Sequence, residues 1–170
     1  LLTATWIRER GAVPFIRLML RSTDENPTPD PLYTLESITR GDFDADLKTW
    51  GEVARDFATP LIVEWGTEMN GYWFAWNAKW NAHKEGAEHF RQAYRHIVET
   101  INAPNVTWVF HVNADDDPLQ PWNRLEHYYP GDDVVDWLGV SVYGAQTPQD
   151  DYWTDPVEQL DAVIPRLEKL

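Results

Sequence analysis

The sequence predicts an α/β protein with about four parallel strands and flanking helices. Four short, nearly continuous apolar runs alternate with segments of helical periodicity, and this order is typical of a parallel sheet. The chain has 170 residues, of which 43% are hydrophobic and 25% are charged, so it is long enough for one domain with its own core. No internal repeat and no low-complexity linker divides it, which favours a single domain.

The predicted strands are apolar runs bounded by turn residues. They cover residues 12–20, 59–66, 105–113 and 134–144. In the last of these, Gly139, Ser141 and Tyr143 share one face, and aliphatic residues occupy the other. Small and polar residues opposite aliphatic ones fit a barrel interior with a helix-covered exterior.

The predicted helices have apolar residues at spacings of three and four. They cover residues 42–57, 86–102 and 155–170, and a short irregular piece at 121–133 precedes the last strand. Asp155 and Pro156 form a cap and first-turn pair at the start of the last helix. Pro165 inside that helix predicts a kink or a break, because proline lacks the backbone N–H.

The composition excludes several classes of function. A net charge of −14 disfavours nucleic acids and anionic membranes as partners and is compatible with a neutral substrate. The chain has no cysteine, which excludes disulfides and thiol catalysis. No apolar run is long enough for a membrane span, and no metal-ligand or phosphate-loop motif occurs, so we expect neither a metal nor a cofactor.

Polar residues lie at the ends of the predicted strands, where parallel α/β proteins place their active sites. Glu68 follows the second strand, and a partly desolvated carboxyl at that position suits a general acid, although it could also cap the next helix. His111 is either a site residue or a core histidine, and Tyr143 either binds a carboxylate or ends its strand. Glu64 lies deeper, so we expect Arg17 to pair with it, because a lone buried charge is costly.

The chain contains ten tryptophans, and several of them follow Glu68. Trp73, Trp76 and Trp80 are spaced three and four apart, which fits either one amphipathic turn with a buried face or a platform for stacking sugars. Asn70 could bind a sugar hydroxyl or hold the Asn-Gly turn.

Four segments in order resemble the β-mannanase family of glycoside hydrolases, family 26. They are YTLESITRGDFDADLKTW, EWGTEMNGYWFAWN, FRQAYRHIVETINAPNVTWVFHVN and YYPGDDVVDWLGVSVYG. The resemblance implies part of a (β/α)8 TIM barrel, with the four strands as barrel strands three to six and residues 1–170 as a fragment of the catalytic domain. It also implies an endo-acting, retaining hydrolase of β-linked polysaccharide, with β-mannan first and β-glucan or xylan as alternatives. The full-length enzyme is expected to be extracellular and monomeric.

The resemblance also implies roles for individual residues. Glu68 matches the general acid/base, Trp73 an aromatic that lines the sugar site, and Tyr143 the tyrosine that contacts the nucleophile. Asn70, Trp76 and His111 complete the predicted set of substrate-binding residues.

Two positions depart from the family pattern, since Thr67 replaces the usual histidine and Glu64 an arginine. The family nucleophile lies on barrel strand seven, and a complete barrel needs about 250 residues, so the isolated chain is expected to be inactive. The alternative is a non-catalytic carbohydrate-binding domain with the same barrel mouth.

Overall fold

The computed structural model describes residues 2–25, 27–144 and 155–170. Within these ranges one sheet contains four strands, all parallel and in the order β1–β2–β3–β4. The strands are β1 (Phe15–Leu18), β2 (Leu61–Trp65), β3 (Val106–Asn113) and β4 (Trp137–Ser141). The predicted α/β class and the parallel sheet are therefore confirmed, and the arrangement is that of a partial (β/α)8 barrel.

The first and last strands are shorter than predicted. Asp136 shows why β4 begins late: its carboxylate accepts from the N–H of Trp108 at 2.7 Å, and its own N–H donates to the Trp108 carbonyl at 3.0 Å. A side chain thus takes the place of the backbone acceptor just before regular pairing begins at Trp137. At the other edge, β1 pairs only over the four residues that face Ile62 to Trp65 of β2.

Five α-helices surround the described strands, and three of them were predicted. They are α1 (Leu2–Arg8), α2 (Leu35–Arg40), α3 (Asp44–Phe57), α4 (Gly86–Ile101) and α5 (Pro156–Leu167). The predicted helices correspond to α3, α4 and α5, whereas α1 and α2 are too short for apolar periodicity to reveal them. The side chain of Asp155 caps α5 by accepting from the N–H of Val157 at 2.8 Å.

Of the kink or break predicted at Pro165, the break does not occur, because α5 continues to Leu167, and the kink stays a prediction. Pro165 lies in the last turn of the helix, so it removes a single hydrogen bond close to a terminus, where the helix tolerates the loss.

The core lies between the sheet and α4. Trp65 of β2 stacks on Phe90 of α4 with ring centroids 5.2 Å apart, and Val63 is buried on the same face. Glu64, between them in the strand, points to the opposite face and lies in register with Arg17 of β1. In β2, therefore, Val63 and Trp65 face the helices and Glu64 faces the inner side of the sheet.

No helix within residues 2–25, 27–144 and 155–170 is long and apolar enough to cross a membrane.

Candidate active site

Glu68 occupies a tight turn three residues beyond β2. Its N–H donates to the carbonyl of His111 on β3 at 2.7 Å, and its carbonyl accepts from the N–H of Gly71 at 2.8 Å. Its φ is 49°, in the left-handed region that residues other than glycine seldom occupy. Such a conformation persists when the surrounding structure fixes it, and it is common at functional sites. The Glu68 side chain therefore extends from a defined backbone position.

Two aromatic side chains hold the Glu68 carboxylate, which is nearly buried at 7% exposure. The Tyr143 hydroxyl donates to Oε1 at 2.5 Å, and the Trp73 indole Nε1–H donates to Oε2 at 2.8 Å. Gly71 makes room for the indole, because a Cβ at that position would lie 2.2 Å from the Trp73 ring. The structure thus brings together three of the six predicted site residues.

The Tyr143 phenol remains a hydrogen-bond donor over a wide pH range. Its bond to the Glu68 carboxylate and its partial burial both raise the pKa of Tyr143, because each disfavours the phenolate. The proton therefore stays on Tyr143, and the phenol can orient the carboxylate at neutral and alkaline pH.

A second polar cluster lies deeper on the inner face of the sheet. Arg17 Nε donates to Oε1 of Glu64, which is fully buried, and His111 Nδ1 donates to Oε2 of the same carboxylate. Burial by itself would raise the pKa of Glu64, but the hydrogen bonds and charges of His111 and Arg17 outweigh burial and lower it. The predicted Arg17–Glu64 pair is confirmed, and both oxygens of Glu64 are engaged within the protein.

The position of His111 does not support its predicted contact with substrate. Its Nδ1 binds Glu64, and its Nε2 lies 2.9 Å from the Ser141 hydroxyl. Thr67, which stands where the family pattern has histidine, lies beneath the site with its hydroxyl 3.4 Å from the same Nδ1. Both ring nitrogens of His111 therefore form hydrogen bonds with side chains on the inner face of the sheet.

The burial of Asn70 likewise does not support its predicted contact with a sugar hydroxyl. Asn70 is completely buried, its Nδ2 donates to the Asn113 and Asp115 carbonyls, and its Oδ1 accepts from the N–H of Asn113 at 2.9 Å. Its Nδ2 also donates to Oδ1 of Asp116 at 3.0 Å. Asn70 thus joins the loop after β2 to the loop after β3, which extends the turn-holding alternative left open by the sequence.

Trp76 is also a core residue, and its position does not support its predicted contact with a sugar. It is 3% exposed, stacks on Phe74 at 4.6 Å, and donates from Nε1 to the Thr67 carbonyl at 2.9 Å. The helical turn that the sequence left open as an alternative is present only as a short 3-10 helix at Ala78–Trp80.

Sequence reasoning missed the buried asparagines that support these loops. Asn123 donates to the carbonyls of Asn70 and Pro118, and its Oδ1 accepts from the amide of Asn77. Both Asn77 and Asn123 are completely buried. Asn77 and Asn123 are 46 positions apart, so no local sequence pattern links them. The only signal in the sequence was that both are polar residues in predicted loops. Among the described residues, no group of three or more His, Asp or Glu side chains is placed to hold a metal ion.

Comparisons with known proteins agree with this architecture. Residues 43–164 match the model of Glycosyl hydrolase family 26. A beta-1,3-xylanase of a Vibrio species is 31% identical over 123 residues, covering 70% of this chain and 24% of that protein. Endoglucanase H of Acetivibrio thermocellus is 28% identical over 137 residues, covering 79% of this chain and 15% of that protein. The catalytic domain of the GH26 endo-beta-1,4-mannanase of Bacillus sp. JAMB-750 has a TM-score of 0.70 at 21% identity, covering 96% of this chain and 45% of that one.

The chain spans less than half the length of each of these proteins. The structural match shows the fold, in which the four-stranded sheet and its helices correspond to part of a (β/α)8 barrel. The family match covers more than two thirds of the chain, including β2, β3, β4 and the turn that holds Glu68. The chain belongs to glycosyl hydrolase family 26.

Proposed function

We propose that this chain provides the acid/base half of the active site of an endo-acting, retaining hydrolase of β-linked polysaccharides, with Glu68 as the general acid/base. The observation that supports this most directly is the nearly buried Glu68 carboxyl at a strand end, with one oxygen bonded by Tyr143 and the other by Trp73. Active sites of parallel barrels lie at this end of the sheet.

Glu68 would act twice in one turnover. In the first step it donates a proton to the glycosidic oxygen as the bond to the sugar breaks, and in the second it accepts a proton from the water that releases the sugar. Tyr143 and Trp73 orient the carboxyl for both steps. The indole edge of Trp73 is committed to Glu68, so its flat face would contact the apolar face of a pyranose ring.

A retaining mechanism also requires a second carboxylate, about 5–5.5 Å from the first. Glu64 does not suit this role, because Arg17 and His111 bind both of its oxygens. We therefore propose that residues 1–170 are a fragment of the catalytic domain, that the nucleophile lies outside them, and that the isolated chain is inactive.

The proposed substrate is a neutral β-linked polysaccharide, which agrees with the acidic composition of the chain. Relatives are named as a beta-1,3-xylanase, an endoglucanase and a mannan endo-1,4-beta-mannosidase. We place β-mannan first, with β-glucan and xylan as alternatives. An extracellular, monomeric enzyme is the corresponding proposal for the full-length protein.

Replacing Glu68 tests the proposal. In the longest natural protein that contains this chain, Glu68→Ala should lower polysaccharide turnover by at least about a hundredfold, the lower end of general acid contributions. A substrate with a good leaving group should lose less in the first step, because its leaving oxygen needs no proton. Glu52→Ala, at an exposed position of α3, is the matched control. Unchanged polysaccharide hydrolysis by Glu68→Ala would contradict the assignment.

The alternative, a carbohydrate-binding domain without catalysis, is favoured by one observation: both oxygens of Glu64 are engaged, so this neighbouring carboxylate is not available to pair with Glu68. In that case a polysaccharide in the gel would slow the migration of the unsubstituted protein in affinity electrophoresis, and the protein would release no reducing ends from it.

A further inference from the structure

A groove of about 770 Å³ lies between α2, α4 and the loop that follows β2. Its walls include Thr39 and Arg40 of α2, Trp80 and Asn81 of the loop, and Gln92 of α4. This volume is in the range of small-molecule binding sites. The two helices that provide part of its walls, α2 and α4, pack directly against each other.

Trp80 presents a fixed aromatic surface in this groove. Its Nε1 donates to the Tyr72 carbonyl at 2.7 Å, which sets the orientation of the ring. The Lys79 ammonium lies 4.7 Å from the Trp80 ring centroid and 4.4 Å from that of Tyr72. These contacts stabilise the two rings in one arrangement.

A series of aromatic rings connects Glu68 to the groove. Trp73 binds the Glu68 carboxylate, and the exposed Tyr72 ring meets Trp73 edge-on with centroids 5.9 Å apart. Lys79 then links Tyr72 to Trp80. Trp73, Tyr72 and Trp80 form what we call the aromatic track, which extends from the proposed acid/base to the groove.

The polar groups around Trp80 suit a sugar better than an anion. Arg40 is paired with Asp42 and Glu36, so its charge is already compensated. Asn81 Nδ2 donates to the Ala75 and Asn77 carbonyls and Gln92 Nε2 donates to Glu88, so both side chains offer their amide oxygens as acceptors for hydroxyls. An aromatic face flanked by such groups complements a pyranose ring, which has an apolar face and a rim of hydroxyls.

We propose that the groove is a distal binding site for pyranose units of the same β-linked polysaccharide, and that the aromatic track guides the chain to it. This inference rests on the proposed function, because it assigns the ligand of the groove to the substrate of Glu68. Trp80 would bind substrate without taking part in bond cleavage.

The test uses Trp80→Ala in the longest natural protein that contains this chain, with β-1,4-glucomannan, β-1,3-xylan and mixed-linkage β-glucan as probes. On the polymer that is cleaved, Trp80→Ala should raise KM about tenfold and leave kcat unchanged, which is the loss expected for one stacking surface. The kcat/KM for an aryl glycoside or a disaccharide should not change, because these ligands do not reach the groove. Trp6→Ala, which removes an exposed tryptophan from α1, is the matched control.

A second variant guards against local unfolding of the loop. The double substitution His89→Ala and Gln92→Ala removes exposed polar groups from the groove wall on α4 and leaves the Trp80 hydrogen bond in place. It should raise the polymer KM in the same direction by a smaller factor. An unchanged polymer KM in both variants would overturn the distal site and leave the role of Glu68 standing.

Affinity electrophoresis of Glu68→Gln separates the two proposals. One outcome is that a polymer in the gel slows Glu68→Gln, that adding Trp80→Ala abolishes this retardation, and that the unsubstituted protein hydrolyses nothing. This outcome would refute the catalytic proposal and support the groove as a sugar site. Absence of both retention and hydrolysis with all three polymers would overturn both.

Discussion

At the scale of single residues, the contact between Tyr143 and Glu68 can be measured directly through the pKa of the phenol. The phenol donates to the carboxylate at 2.5 Å, and this bond is the largest cause of the raised pKa of Tyr143. The two residues are 75 positions apart, so their contact depends on β2 and β4 both ending at the same side of the sheet.

Neutralising Glu68 should therefore lower the pKa of Tyr143. In Glu68→Gln the adjacent negative charge is lost, and the phenolate becomes easier to form. Titration of 13C-labelled tyrosine rings by NMR would measure this, with Tyr143→Phe to assign the resonance. Tyr129 is the internal control, because burial and its bond to Asp132 raise its pKa to about 12 independently of Glu68. A Tyr143 titration that does not move in Glu68→Gln would contradict the described contact.

The sequence predicted which turn forms the site better than it predicted the environment of each side chain. Glu68, Trp73 and Tyr143 were found from strand ends and family motifs, and the structure brings them together. Asn70 and His111 were placed in the same site, yet their polar atoms bind protein partners. Partners such as Asn113 come from another strand more than 40 positions away, and a local motif cannot reveal them.

At the scale of elements, periodicity located α3, α4 and all four strands, because each has a continuous apolar face. It missed the short α2, which depends on a cap: the Thr34 hydroxyl accepts from the N–H of Ser37 at 3.0 Å. It also gave no reason for the glycine inside α3. Gly51 faces the end of α4, where a Cβ would lie 2.1 Å from the Ile101 carbonyl oxygen.

Gly51→Ala should destabilise the chain although alanine is the better helix former. Helix propensity alone would favour the substitution by about 1 kcal/mol. The added methyl group must instead push α3 away from the Ile101 carbonyl, and such overpacking typically costs about 1–3 kcal/mol. Urea denaturation would measure the difference, with Glu52→Ala, exposed on the same helix, expected to change stability by less than about 0.5 kcal/mol. A stabilised Gly51→Ala would show that the two helices are not in this close contact.

At the scale of the whole molecule, one arginine joins the last helix to the loops that support the site. Arg166 of α5 donates to Asp116 at 2.8 Å and to both carboxylate oxygens of Glu126 at 2.8 and 2.7 Å. Asp116 also binds the amide of Asn70, which holds the turn before Gly71. Position along the sequence does not predict this connection, because α5 follows Asp116 by some 40 residues and approaches it only when the sheet has formed.

This connection predicts a specific loss of stability in acid. The pKa of Glu126 is lowered from its usual 4.5 to about 2, with the hydrogen bond from Arg166 as the largest cause, a smaller contribution from Arg124, and burial opposing the shift. Between these values the unfolded chain takes up a proton at Glu126 that the folded chain does not, so the stabilisation is complete above about pH 4.5 and disappears as the pH falls through about 2. The free energy of unfolding of the unsubstituted chain, measured with urea across this window, should therefore fall more steeply than that of Glu126→Gln. The control Glu9→Gln, at an exposed position after α1, should keep the steeper dependence of the free energy of unfolding on pH. Equal slopes in all three proteins would show that Arg166 does not hold Glu126 in the folded state.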